Sequence, residues 1–260
     1  MKTKTRRFSI ILVLLIPCFL FQYGRPAHGR ETDLSAEQII DKHIEATGGK
    51  KALEKINNSI TEMKITLLQD KIEGKITFYK QRPNRFYSFT ELDFSGVPIV
   101  EEMGTDGNIV WKIEPRTSGR IVAGEERANI LINHAFDALV SWQTYFKNIQ
   151  YAGMEDINGK NCYKVVMTPF QGGQRTYFFE KDTYLLIKII VPAQIAGNRN
   201  KLESYLSDYR KINGLWIPYN LLQVIGGKEM FKLVIEDIKT NVAMPKDRFA
   251  LPDKIKILNK

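Results

Sequence analysis

Cysteine and histidine are scarce in this chain, with 2 and 3 residues among 260, and the scarcity removes whole classes of chemistry. Beyond residue 30 only Cys162, His43 and His134 remain, none with a partner at ligand spacing, so no His/Cys zinc cluster can be assembled. A G-x-S-x-G nucleophile elbow is missing. So is a glycine-rich phosphate loop: the pairs Gly172-Gly173 and Gly226-Gly227 lie between strand-like runs, whereas such a loop leads from a strand into a helix. The carboxylate pairs Glu101-Glu102 and Glu125-Glu126 read as solvated charge. No catalytic residue, metal or cofactor is therefore expected. A Ser-His-Asp triad is defined in space rather than in sequence order, so a secreted hydrolase stays open as a minor reading.

Acidic residues are absent from the first 29 positions. The basic opening MKTKTRR leads into the apolar run Phe8 to Phe21, about fourteen residues with Pro17 near its end. A membrane-spanning helix needs about twenty. The segment reads as a secretory signal cleaved after Ala27-His28-Gly29, with the mature chain starting at Arg30. Retention as an anchor, or lipidation at Cys18, are the competing readings; Pro17 is a poor residue to precede a lipidated cysteine. Cleavage predicts a periplasmic protein and leaves Cys162 without a disulfide partner in the chain. It also removes Lys2, Lys4, Arg6, Arg7 and Arg25, so 38 less 5 basic residues face 29 acidic ones, a net of about +4. Basic and acidic residues are interspersed, without the concentrated stripe that nucleic-acid binding requires.

Residues 30–260 read as one domain. Ser35-Ala36-Glu37-Gln38 is a capping box that opens a helix, and Gly48-Gly49 is its left-handed stop. A short helical stretch follows from Lys50 to Ile56. From Ser59 the period becomes two: Met63, Ile65 and Leu67 alternate with Glu62, Lys64 and Thr66, and Ile72, Ile76 and Phe78 with Glu73, Lys75 and Thr77. Strands over 85–94, 97–103 and 109–113 come next. The stretch 114–124 reads as a loop, and 125–148 as one long helix. Its polar residues Asn129, Asn133, Asp137, Ser141, Thr144 and Asn148 form a narrow stripe, and a helix apolar over the rest of its girth is covered on more than one side. Seven further strands between 149 and 240 are separated by turns such as Asn158-Gly159 and Asn213-Gly214.

About a dozen antiparallel strands must curl to protect their edges, and a helix inserted in mid-meander is a natural plug for the concave face. The fold class expected is mainly β: a single curved antiparallel sheet forming an unclosed β-barrel, with an N-terminal helix and an inserted helix near 125–148. Strands such as 85–89 and 185–191 are apolar on both faces, which implies a second covered face or a cavity for an apolar ligand.

The helix ending Ala46-Thr47-Gly48-Gly49, the segment 105–111 (TDGNIVW), the strands 159–165 (GKNCYKV) and 176–179 (TYFF), then 184–188 (YLLIK), 207–210 (SDYR) and 213–219 (NGLWIPY) resemble the LolA/LolB-like group of outer-membrane lipoprotein-sorting proteins. The likeness spans nearly all of residues 30–260. It implies a lidded half-barrel whose apolar interior carries the acyl chains of lipoproteins or other lipids without catalysis. A membrane protein of the envelope that loads or receives cargo is an implied partner. The chain is expected to act as a monomer. Candidate lining residues, chosen from apolar strand faces and the wide helix face, are Met63, Ile65, Leu67, Ile76, Phe78, Trp111, Phe136, Leu139, Trp142 and Phe178. The alternative reading is an envelope sensor or interaction module that binds a protein segment or lipid signal on the same scaffold.

Overall fold

A computed structural model describes residues 34–115, 117–195 and 198–258; the signal segment, its cleavage site and Cys18 lie outside the described residues. Helix α1 (Ala36–Ala46) begins at the expected capping box: the Ser35 hydroxyl accepts from the Gln38 amide at 3.2 Å, and the Ser35 amide donates to Gln38 Oε1 at 2.8 Å. It ends at Gly48 and Gly49, both at positive φ. A Cβ on Gly48 would run into the Gly214 carbonyl, and the Trp216 amide donates to the Thr47 carbonyl at 2.9 Å, so this end of the helix is pinned to a strand turn. The short α2 (Lys50–Glu54) follows.

Thirteen strands form one antiparallel sheet. They are β1 (Asn58–Leu67), β2 (Ile72–Gln81), β3 (Arg85–Phe94), β4 (Val97–Thr105), β5 (Val110–Ile113), β6 (Arg120–Val122), β7 (Phe146–Ile157), β8 (Lys160–Pro169), β9 (Arg175–Glu180), β10 (Leu186–Ile195), β11 (Asn198–Ile212), β12 (Leu215–Ile225) and β13 (Lys228–Thr240). The spatial order is β6-β5-β4-β3-β2-β1-β13-β12-β11-β10-β9-β8-β7. Two meanders, β1 to β6 and β7 to β13, are thus joined by the β1–β13 ladder. The free edges are β6 and β7, and the chain passes from one to the other through α3 (Gly124–His134) and α4 (Trp142–Tyr145). The helical insertion therefore spans the gap that keeps the barrel open. A short α5 (Asp253–Leu258) ends the described chain.

Two expectations about extent change. The stretch 114–124 contains β6, and the helix expected over 125–148 is divided into α3 and α4 by an irregular segment at 135–141 and ends at Tyr145, with 146–148 already part of β7. Ala135 leaves α3 with an extended backbone, φ −60° and ψ 144°. Beyond it the Asp137 carboxylate takes a hydrogen bond from Arg82 Nη1 at 3.0 Å, which holds the segment to the end of β2.

The curl of the sheet follows from two adjacent residues of α3. The His134 ring lies tilted against Phe86 of β3 with centroids 4.4 Å apart, while Asn133 Oδ1 accepts from Arg175 of β9 at 2.7 Å. In a flat sheet β3 and β9, seven places apart, would be separated by about 34 Å. One helix, about 16 Å long, reaches both only if the sheet wraps around it. The face that carries α1 and α3 is accordingly the concave one.

Candidate functional site

Strand register assigns every inward side chain. Met63 pairs with Ile76 and Ile235, Ile65 with Leu233, and Leu67 with Ile72 and Phe231. These pairs put one face of β1, β2 and β13 in line, and β12 continues it through Leu221 and Gln223. The resulting wall is a cluster of Met63, Ile65, Ile76, Tyr219 and Ile235, with Leu67, Phe78, Leu92, Ile217, Phe231 and Leu233 packed against it. All of its members come from strands. By contrast, the concave face of β7 to β11 is covered by Ile39 and Ile40 of α1 and Ile132 of α3, with Leu139 and Trp142 packed beside them. Ile130 and Leu131 of α3 cover Phe86, Val110 and Val122 near the other edge. The middle of the concave face thus carries large apolar groups, half-buried at Leu67, Phe78, Phe231 and Leu233, between two helix-covered flanks.

Eight of the expected lining residues share this interior. Met63, Ile65, Leu67, Ile76 and Phe78 lie on the strand wall. Phe136 follows α3, with the Lys80 ammonium 5.8 Å and the Arg82 guanidinium 5.2 Å from its ring centroid. Leu139 and Trp142 pack over the cluster under α1. Trp111 and Phe178 stand apart, because register turns both to the outer face. Trp111 pairs with Gly104, whose missing Cβ makes room for the indole ring, and it is buried with Phe249 and Ile255 of the C-terminal segment. Phe178 packs with Ile157 and Cys162, and the ammonium groups of Lys164 and Lys188 each lie 5.7 Å from its ring centroid.

Three polar groups inside the fold escape a reading of the sequence. Arg175, only 3% exposed, donates from Nη1 to Asn133 Oδ1 at 2.7 Å and from Nη2 to Asn129 Oδ1 at 2.9 Å. The polar stripe of α3 is thereby a tether to β9 rather than a solvent face. Arg82 ties the following segment to β2 through Asp137 and also donates to the carbonyls of Ile56 and Leu53. Lys80 is on the concave face, in register with Ser59 and Phe86. Burial pushes its ammonium down to about 8, and no carboxylate among the described residues lies within ion-pair distance. His134, beside it, is driven down to about 3 by burial and by the Lys80 charge, so its imidazole is neutral.

Among the described residues no group of three or more His, Cys, Asp or Glu side chains can hold a metal, and no helix is long and apolar enough to cross a membrane. His43 is a packing residue: its Nδ1 is 2.8 Å from the Tyr184 carbonyl, its ring lies 5.0 Å from that of Phe179, and burial lowers it to about 4.

No family model and no curated protein matches the chain. Solved structures do. A DUF1329 family protein from Desulfovibrio piger aligns at 15% identity and TM-score 0.55, covering 82% of this chain and 96% of that one. An outer membrane lipoprotein-sorting protein domain from Vibrio parahaemolyticus aligns at 10% identity and TM-score 0.55, covering 83% and 96%. A LolA superfamily protein from Nitrosomonas europaea aligns at 13% identity and TM-score 0.55, covering 84% and 98%. At such identities the likeness speaks to architecture alone: this chain shares the fold of these structures, with its own antiparallel sheet left open between β6 and β7.

Proposed function

We propose that the protein is a periplasmic binder and carrier of lipid acyl chains, exported by a signal cleaved near Gly29/Arg30 and using the strand wall around Met63, Ile65 and Ile76 as its site. One observation carries the reading: the middle of the concave face carries a cluster of apolar side chains that come from strands and not from helices, flanked by α1 and spanned by α3. An apolar surface of that kind inside a curled sheet is what shields an acyl chain from water. Each methylene removed from water contributes about 0.8 kcal/mol, so a single chain supplies enough for stable binding. The role needs no catalytic group. Lipoproteins of the outer membrane, or other acylated lipids of the envelope, fit as cargo, and a membrane protein that loads or receives them fits as partner. Segment 124–145, tethered at Arg175 and Arg82, serves as the lid.

Purified protein examined by native mass spectrometry and by solvent extraction tests the proposal. The expected result is co-purified acyl lipid at a stoichiometry near one. Protein that is reproducibly empty and fails to take up a fluorescent acyl probe would refute it.

A further inference from the structure

The acyl-binding reading leaves one interior group without a task. Lys80 stands on the concave face of β2, at the end of the apolar row Phe78, Ile76 and Ile72. Its side chain is half-buried, and burial lowers its ammonium to about 8. Its ammonium rests 5.8 Å from the Phe136 ring centroid, and His134, tilted against the rings of Phe86 and Phe78, is its neighbour from α3. No described carboxylate pairs with it, although carboxylates are paired with other lysines throughout the sheet, as in Lys188 with Glu203 and Lys64 with Glu73. An enclosed ammonium without a counter-charge destabilises a fold. An anion brought to it by a ligand would remove that cost.

We propose that Lys80 receives the anionic head of a single-chain amphiphile, so that the cavity selects acyl chains ending in a carboxylate or phosphate over neutral ones. This rests on the acyl-binding reading and adds polarity to it: the head lies at Lys80, roofed by Phe136 and His134, and the chain runs along β1 and β2 past Met63, Ile76 and Ile65 toward Leu67 and Ile72. The wall is long enough: from Lys80 to Ile72 the strand covers about 26 Å, more than the about 15 Å that an acyl chain spans in one leaflet of a hydrocarbon core about 30 Å thick. Arg82, two residues on, is engaged by Asp137 and by the carbonyls of Ile56 and Leu53, whereas Lys80 has no ion-pair partner among the described residues.

The test uses delipidated protein and displacement of a neutral fluorescent acyl probe by palmitate, by hexadecanol and by palmitoyl lysophosphatidic acid at neutral pH. The wild-type protein is expected to bind at least one of the two anions roughly 10- to 100-fold more tightly than hexadecanol, the range of a hydrogen bond to a charged group. Lys80→Met should abolish that preference while leaving hexadecanol affinity within about twofold, and Lys80→Arg should restore it. Whichever anion shows the larger Lys80-dependent gain identifies the head. Equal affinity for anions and alcohol in the wild type, or a preference that survives in Lys80→Met, overturns the proposal while leaving acyl binding intact. Failure of all three ligands to displace the probe overturns both.

Discussion

Replacing Arg175 by Met separates the tether of the lid from the apolar packing beneath it. The guanidinium holds α3 by hydrogen bonds of 2.7 Å to Asn133 Oδ1 and 2.9 Å to Asn129 Oδ1. Bonds to a charged group contribute about 1.5–3 kcal/mol each, but the arginine is buried, and among the described residues its Nε has no partner and no carboxylate pairs with it, so desolvation offsets much of that sum. Methionine keeps the apolar stem and removes the desolvation cost, so global stability should fall by no more than about 1–2 kcal/mol. Opening of α3 is the more sensitive quantity. The helix loses its bond to β9 and keeps the packing of Ile130, Leu131 and Ile132, the His134–Phe86 contact and the Arg120–Glu126 and Arg127–Asn108 hydrogen bonds, so its opening free energy should drop by about 1–3 kcal/mol, accelerating exchange some 5- to 150-fold. Hydrogen exchange read by mass spectrometry on peptides covering 124–134 measures this, with α1 as internal reference. Unchanged protection of α3 in a folded variant, or an equal rise in α1, would show that Arg175 is not the tether.

Other consequences are read from single side chains. Leu67→Asp, at the rim of the strand wall, should weaken acyl-probe binding by at least about tenfold, whereas Thr66→Asp, one residue away on the outer face, should leave it unchanged; equal effects would contradict the assigned faces. Trp111→Ala should cost about 3–5 kcal/mol in chemical denaturation, yet the folded fraction should bind the probe normally, because the indole lies under the C-terminal segment and not on the concave wall. His43 sits near 4 in the folded protein against about 6.5 when exposed, so the unfolded chain takes up a proton that the folded one refuses. Its contribution to stability is present above about 6.5 and is lost as pH falls toward about 4, to a ceiling of about 3 kcal/mol. His43→Gln should flatten the stability profile across that window, and denaturation midpoints at pH 7, 5.5 and 4.5 check it.

Much of the fold is legible along the chain because its strands follow binary patterning and chemically explicit turns. Met63, Ile65 and Leu67 alternate with polar neighbours, and the structure places them on one face as that alternation requires. The capping box at Ser35 and the glycines after Ala46 delimit α1 as written. What was not legible depends on groups distant in sequence. Tyr177, Phe178 and Phe179 are consecutive and all apolar, so nothing local says that Phe178 faces outward; register with Lys164 and Lys188 decides it. For Trp111 the signal available was Gly104, a small residue across the hairpin. The end of α3 at His134 carries no glycine or proline, and the segment beyond it is held by Arg82, some fifty residues earlier. The stripe of asparagines on α3 was visible, but its partner Arg175 belongs to the far side of the sheet.

The central claim is that an acyl chain lies on the concave wall of β1, β2, β12 and β13. A photoactivatable fatty acid carrying a diazirine on its chain, bound at equimolar ratio, irradiated and located by peptide sequencing, tests it most directly. The account predicts adducts on peptides from 58–81 and 215–240, at inward residues such as Met63, Ile76 and Leu233. Adducts confined to the outer face, around Trp111, Phe178 or the segment 244–258, or an absence of adducts from a folded protein, would contradict it.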